Sequence, residues 1–356
     1  MRVFWSLLLP CVSGWVACEG GAPPAASTTA GSAAAGTAAD GAAPAGGSAS
    51  PSSGAAGVSG QSSLGGAAAG TDAGGGGGAA PAACADATAP HAWASWPLPD
   101  PTTTGQATSQ GFTLTDEIAT DTVTGLAWQR HLPTQTFTWP DAKQYCDCLS
   151  LEGHDDWGLP SRMELVSIVD YTRQNPSLDA NAFPDTPLEW FWTASPKAGT
   201  PDSYFYVAFF DGDTHGSTSD RDYRVRCVRH AAGQLPRYDT SLDGTVKDAS
   251  TGLTWQREAS AEPLTWNDAK LACTALGLGG GGWRLPSMSE LQSLIDESKS
   301  DPAIDATAFP NTPSEGFWAA TPLAGSATAA WFVGFLDGIA YNALLEHPYR
   351  ARCVKP

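Results

Sequence analysis

The 356-residue sequence is poor in basic residues, with 19 Lys and Arg against 37 Asp and Glu and a formal net charge of −18. The deficit extends over both halves of its aromatic-rich part. Residues 112–230 contain 18 acidic and 9 basic side chains, and residues 237–356 contain 14 and 9. Because nucleic acids, anionic lipids and sulfated polysaccharides attract basic surfaces, this charge argues against all three as partners.

Aromatic residues are absent between Gly20 and Ala83, and bulky aliphatic residues are scarce there. Gly, Ala, Ser, Pro and Thr dominate this stretch, which therefore cannot bury enough apolar surface to offset its ordering entropy. The composition predicts a disordered low-complexity linker over residues 19–84, leaving the folded part to the residues that follow.

A run of apolar residues long enough to span a bilayer is also missing. The N-terminus instead resembles a signal peptide over residues 1–18, with Arg2 before the short apolar stretch Val3–Ala17 and a lipobox-like ending at Cys18. We expect an exported protein held to a membrane only through lipid on Cys18, at the outer membrane or cell surface. If Cys18 is not acylated, the protein is secreted or periplasmic.

Catalytic motifs are missing too. The chain has no Gly-x-Ser-x-Gly, no His-Glu-x-x-His and no phosphate-binding glycine loop. Its six histidines follow no common pattern. The sequence therefore predicts no catalytic residue, and a binding protein rather than an enzyme.

An internal repeat dominates the rest of the chain. Thr124-Gly-Leu-Ala-Trp-Gln-Arg130 recurs as Thr251-Gly-Leu-Thr-Trp-Gln-Arg257, and Tyr223-Arg-Val-Arg-Cys-Val228 recurs as Tyr349-Arg-Ala-Arg-Cys-Val354. A repeat of this length with one deletion indicates a duplicated domain rather than a solenoid unit. We expect two domains, residues 112–230 and 238–356, called here the first and second repeat.

Each repeat is predicted to be α+β, with two helices followed by a small antiparallel sheet. Thr138 and Thr265 are predicted N-caps of the first helix, and Ser161 and Ser287 those of the second. Glu164 and Glu290 stand at the capping-box positions, which explains them without a catalytic role. The predicted strands of the first repeat, each with a second-repeat equivalent, are Phe191–Ala194, Tyr204–Phe210 and Arg224–Val228.

Six cysteines remain after the signal peptide and Cys18 are set aside, an even number that predicts disulfides in an exported protein. Their duplicated positions pair Cys146 with Cys227 and Cys273 with Cys353. Cys84 and Cys148 have no counterparts and are left to pair with each other.

These landmarks, TGLTWQR, TWNDAKLAC, WRLPSMSEL, FWAAT, FLDG and YRARCV in the second repeat, resemble the Lcl C-terminal domain family. That family is similar to C-type lectin-like domains, so the resemblance implies two tandem C-type-lectin-like domains after the linker. It also implies an exported adhesin-like or surface-associated module and, from a collagen-like member, glycosaminoglycan recognition. The linker replaces collagen triplets here, and the acidic charge argues against a glycosaminoglycan.

Candidate contacts lie at positions that differ between the repeats. Most tryptophans recur and are predicted core residues, but Trp190 corresponds to Gly316 and is the candidate for an exposed ligand contact. Arg226 and Arg352 are expected to pair with carboxylates. Four carboxylates in one loop-rich stretch could capture a cationic group or calcium. The alternative is a solvated acidic loop, and no resident cofactor or metal is expected. The four carboxylates are Asp211, Asp213, Asp220 and Asp222.

The leading functional hypothesis is an exported, surface-anchored binding or adhesion module for an extracellular ligand, either a glycan or a surface protein. The first repeat would hold the main contact and the second would act as a structural copy. The alternatives are a structural envelope lipoprotein that engages protein partners and, less favoured, an enzyme on the same scaffold.

Overall fold

The computed structural model describes Cys84, residues 111–229 and residues 237–356. The predicted signal peptide, Cys18 and the predicted linker before Cys84 lie outside the described residues. No helix in the described ranges is long and apolar enough to cross a membrane.

Each repeat contains seven strands and two α-helices in its described residues, in the same order, and the second repeat also has a 3-10 helix at Leu278–Gly280. The elements of the first repeat are β1 (Phe112–Leu114), β2 (Ile118–Asp121), β3 (Ala127–Gln129), α1 (Trp139–Asp147), α2 (Arg162–Ser167), β4 (Trp190–Pro196), β5 (Ser203–Ala208), β6 (Thr214–Thr218) and β7 (Val228–Arg229). Those of the second are β8 (Tyr238–Asp239), β9 (Thr245–Asp248), β10 (Thr254–Gln256), α3 (Trp266–Thr274), α4 (Met288–Gln292), β11 (Gly316–Pro322), β12 (Ala329–Gly334), β13 (Ala340–Leu344) and β14 (Val354–Lys355). The fold is therefore α+β in two similar halves.

The helices begin where the sequence predicts. Ser161 and Ser287 each accept a hydrogen bond from the backbone N–H three residues on, and the carboxylates of Glu164 and Glu290 accept one from the backbone N–H of the cap residue. These are complete capping boxes. Both second helices are shorter than their apolar stripes, since α2 ends at Ser167 before the buried Ile168 and Val169.

The order of elements within a repeat differs from the prediction. Each repeat opens with three short strands before its first helix, so the helices do not come first. The predicted strand Arg224–Val228 is reduced to Val228–Arg229, and Arg224 makes a single parallel bridge to Phe191. Strands of two to four residues carry too little alternation for the sequence pattern to reveal them.

Two four-stranded antiparallel sheets, one per repeat, are built from these short strands. Their orders are β1-β2-β3-β7 and β14-β10-β9-β8. In the first, Asp121 accepts the N–H groups of Val123 and Thr124, and Gly125 takes a φ of 73°, which closes the β2–β3 turn. The repeated Thr-Gly-Leu-x-Trp-Gln landmark is this turn and the strand after it.

A six-stranded antiparallel sheet runs through both repeats in the order β11-β12-β13-β6-β5-β4. The repeats join between β6 and β13, where Thr214 lies opposite Ala340 and the hydroxyl of Thr214 accepts the N–H of Ala340 at 3.0 Å. Thr214 and Ala340 are equivalent positions, so a pseudo-twofold axis passes between them. The two repeats therefore share one sheet.

One face of this sheet packs on a core common to both repeats. Phe191 and Val207 from the first repeat and Phe317 and Val333 from the second belong to the same buried cluster as the residues of α2 and α4. On the opposite face each repeat has its own lateral core, with Trp192 near α1 and Trp318 near α3. The middle of that opposite face, between the two lateral cores, is half-buried.

A buried polar contact between the repeats is made by residues that are not equivalent. The fully buried Arg162 donates from Nε to Glu297 at 2.9 Å and from Nη1 to the side-chain carbonyl of Gln292 at 2.7 Å. Gln292 in turn donates to the hydroxyl of Tyr171 at 2.6 Å. The equivalents of Arg162 and Gln292 in the other repeat are Met288 and Val166, so this network is not duplicated by the pseudo-twofold axis. The two repeats therefore contribute different residues to their contact.

Candidate functional site

The open face of the six-stranded sheet carries a row of aromatic side chains. In the first repeat Trp190, at the start of β4, lies 6.1 Å from Tyr206 and 5.5 Å from Tyr223 between ring centroids. Tyr206 contacts Tyr223 at 5.0 Å and faces His215 of β6 at 6.0 Å. Directly paired strand residues such as Tyr206 and His215 place their side chains on the same face of a sheet, which explains the row.

The row continues across the pseudo-twofold axis into the second repeat. His215 contacts Tyr341 of β13 at 5.5 Å, and Tyr341 stacks on Phe332 of β12 at 5.4 Å. Phe332 stacks on Tyr349 at 4.1 Å. We call this set the aromatic track; it consists of Trp190, Tyr206, Tyr223, His215, Tyr341, Phe332 and Tyr349.

The aromatic track is long and partly exposed. Trp190 is 45% exposed and the other six side chains are half-buried. From β4 to β12 it crosses five strands, or about 20 Å at the usual spacing of neighbouring strands. Burial raises the pKa of Tyr206 to about 12 and also raises that of Tyr341, so both phenols are neutral and can donate or accept hydrogen bonds.

Trp190 is the predicted contact residue, and it forms one end of the track. The equivalent Gly316 has no room for a side chain, because an added Cβ would lie 2.5 Å from Tyr349 Cδ1 and 2.9 Å from Phe332 Cδ2. In the second repeat, Tyr349 and Phe332 therefore occupy the space that the side chain of Trp190 takes in the first. The recurring Trp128, Trp157 and Trp192 are fully buried, as predicted for core residues.

The four aspartates do not form one cluster. Asp211 and Asp213 lie in the turn before β6, whereas Asp220 and Asp222 follow the other end of that strand and are exposed. Among the described residues, no three His, Cys, Asp or Glu side chains come close enough to hold a metal ion. The proximity suggested by the sequence fails because an extended strand separates the two pairs.

Paired charges flank the centre of the aromatic track. Asp213 Oδ2 lies 2.9 Å from His215 Nε2, and this hydrogen bond raises the pKa of His215 above its usual value. Lys197 of the first repeat pairs with Asp337 of the second at 3.1 Å. The charged side chains beside the centre of the track are therefore paired with groups of opposite charge, except for Asp211.

Asp211 is equivalent to Asp337, but Leu323 stands where the other repeat has Lys197. Burial, together with repulsion from Asp213, raises the pKa of Asp211 to about 6. The folded state thus keeps a proton that the unfolded state releases near pH 4, so Asp211 lowers the stability as the pH rises from about 4 through 6.

We expect Asp211→Asn to remove this loss. Relative to the unchanged protein, the variant should gain about 1 kcal/mol of unfolding free energy between pH 4 and pH 7, a value reduced for solvent screening of a half-buried group. Urea unfolding at a series of pH values measures it. Asp220→Asn is the control: Thr218 lowers the pKa of this exposed carboxyl, so its trend should have the opposite sign. A stability difference for Asp211→Asn that does not vary with pH would contradict the assignment.

Arg226 and Arg352 differ from the prediction, since among the described residues neither pairs with a carboxylate. Arg226 is fully buried over the ring of Phe183 at 4.5 Å and donates to the carbonyls of Gln129 and Arg130 and to the hydroxyl of Thr186. Burial lowers the pKa of Arg226 to about 9. Arg352 repeats the arrangement with Phe309 and Thr312. Both arginines therefore tie the last strand segment to the core.

Three disulfides join the six cysteines that the structure describes, and they are the predicted pairs. Cys146–Cys227 and Cys273–Cys353 each join the first helix of a repeat to the segment before its last strand. Cys84–Cys148 joins a residue far upstream to the C-cap of α1. The first two lie in the lateral cores on the same side of the sheet as the aromatic track.

Most of the aromatic track was not predicted. The strands containing Tyr206 and Phe332 were predicted, but both are apolar or aromatic at nearly every position, so their sequences do not show which rings lie on the open face. Strand β6, Thr-His-Gly-Ser-Thr, has no apolar residue and was not predicted. Without β6, His215 could not be placed beside Tyr341.

Two stretches of the chain, residues 117–229 and 244–355, match the model of the Lcl C-terminal domain. Together they cover more than half of the sequence. The chain belongs to the Lcl C-terminal domain family. This confirms the predicted family and its two tandem copies, and Lcl C-terminal domains are non-enzymatic domains of surface-associated, collagen-like proteins. Comparison with curated proteins found no match.

Proposed function

We propose that this chain is an exported binding module that recognises carbohydrate through the aromatic track, with Cys18 as its lipid anchor. The observation that carries the proposal is the unbroken row of partly exposed rings across the open face of the shared sheet. Aromatic side chains with polar edges present an apolar face for stacking and hydrogen-bonding groups at the rim, a combination suited to sugars. The relation to C-type lectin-like domains and the disordered linker stay predictions.

The family supports binding at a surface rather than catalysis. Its domains belong to surface-associated proteins, and the polar groups around the track suit recognition. The carboxylate nearest its centre, Asp213, is held by His215 and by the backbone N–H of Thr214. We therefore assign these groups to positioning the rings and contacting ligand hydroxyls.

The test is a panel of immobilised polysaccharides probed with the full-length chain and with Trp190→Ala. We expect binding to at least one glycan and a loss of about 1–2 kcal/mol on truncation of Trp190, or roughly tenfold in affinity. Leu271→Ala, on α3, is the matched control because Leu271 is 68% exposed and lies outside the track. Equal affinity of the chain and Trp190→Ala for every bound glycan would contradict this role of the track.

A further inference from the structure

We infer that the aromatic track is one binding site that takes a single extended, neutral polysaccharide chain across both repeats. This inference rests on the proposed carbohydrate function and adds the number of sites, the length of the ligand and its charge. It places the ligand contact on both repeats, whereas the sequence analysis predicted the main contact on the first repeat alone.

The site spans both repeats because its rings form one series across the pseudo-twofold axis. His215 and Tyr341 are equivalent positions on β6 and β13, and their rings contact each other at 5.5 Å. Their strands belong to one sheet, and the common core beneath that sheet includes Val207 and Val333. A ligand centred on His215 therefore contacts Tyr341 without any movement of one repeat against the other.

The ligand is extended because the track is longer than a short sugar. Its rings follow one another over about 20 Å, and each ring has a partly exposed edge or face that adds apolar surface. A disaccharide covers only part of that length, whereas a longer chain reaches Trp190 at one end and Phe332 at the other. Affinity should therefore rise with chain length until the track is filled.

The two ends of the track differ, which gives the ligand a preferred direction. The first repeat contributes Trp190 and Tyr206, which have polar edges, whereas the equivalents in the second are Gly316 and Phe332. Hydrogen-bonding groups are therefore concentrated in the first half and apolar surface in the second. A polysaccharide with distinct ends meets different chemistry when it is reversed.

The ligand is neutral because the charges at the centre favour neither sign strongly and the surroundings are acidic. Lys197 is paired with Asp337 and His215 with Asp213, so binding an anionic group there would require breaking one of these pairs. Asp211 adds a further carboxyl, and the whole chain has a net charge of −18. Sulfate or uronate groups would therefore be repelled.

The experiment is isothermal titration of the full-length chain with neutral β-1,4- and β-1,3-linked glucose oligosaccharides of two to six residues, and with dextran sulfate. We expect one site per chain, an affinity for the hexasaccharide about tenfold or more above that for the disaccharide, and no binding of dextran sulfate. Tyr206→Ala and Tyr341→Ala should each weaken hexasaccharide binding about tenfold. Tyr341→Phe should keep most of the affinity, because the stacking surface stays.

Asn342→Ala is the matched control, since Asn342 follows Tyr341 on β13 but points to the opposite face and is exposed. Thermal unfolding of each variant separates lost binding from lost folding. Four outcomes would each overturn the inference while leaving carbohydrate binding intact. They are two sites per chain, equal affinity for the disaccharide and hexasaccharide, tighter binding of dextran sulfate, and a folded Tyr341→Ala with full affinity. Binding of neither the oligosaccharides nor any panel glycan would instead overturn the proposed function.

Discussion

Replacing Glu297 with alanine should lower the free energy of unfolding by about 3–5 kcal/mol. The side chains of Arg162 and Glu297 are 0% and 1% exposed, and Arg162 Nε lies 2.9 Å from Glu297 Oε1. Removal of the carboxylate leaves the guanidinium buried at the contact between the repeats, beside the neutral side-chain and backbone carbonyls of Gln292. An uncompensated buried charge costs far more than the net contribution of the intact pair. Urea unfolding followed by tryptophan fluorescence measures the loss.

The double variant Arg162→Met/Glu297→Leu is the informative control. Methionine stands at the equivalent position, Met288, so this side chain already packs on one side of the pseudo-twofold axis. With neither member of the ion pair left buried without its partner, the double variant should recover at least half of the stability lost in Glu297→Ala. If both variants are equally unstable, the effect comes from packing around Glu297 and the ion-pair explanation is wrong.

This contact also shows why the sequence predicted the repeats but not their arrangement. Equivalent landmarks such as Trp128 and Trp255 have the same role in both repeats, and self-comparison is enough to find them. Residues near a pseudo-twofold axis are free to differ between the repeats, because the two copies of a position can face different partners. Tyr171 and Glu297 are one such pair of positions, and so are Phe205 and Trp331. Differences between repeats therefore mark the shared interface as well as possible ligand contacts.

The candidate site was predictable only at Trp190. Its absence from the second repeat was visible in the sequence, and the structure places it at the end of the aromatic track. The centre of the track depends on β6 lying beside β13, a pairing held by Thr214 and Ala340. No sequence pattern around either residue predicts a strand partner more than 120 positions away. The centre of the track could therefore be found only from the structure.

Removal of one lateral-core disulfide should have an effect at least as large as that of Glu297→Ala. Cys146 and Cys227 are fully buried and 81 residues apart, and closing such a loop stabilises the folded state by about 4–5 kcal/mol in the chain-entropy model. We expect Cys146→Ala/Cys227→Ala to lose about this much unfolding free energy in urea. Cys84→Ala/Cys148→Ala is the control: both of its residues are exposed, so it removes a crosslink without opening a cavity and should cost less.

The same variant tests whether the repeats unfold together. The common core contains Trp128 of the first repeat and Trp255 and Trp331 of the second, so weakening the first repeat removes packing partners from the second. A protein with one shared core unfolds in a single cooperative transition. We therefore expect proteolytic cleavage in residues 238–356 to begin at the same urea concentration as loss of the first repeat, although Cys273–Cys353 is intact. If the second repeat stays resistant after the first has unfolded, the two halves are independent domains and the shared sheet does not couple their stability.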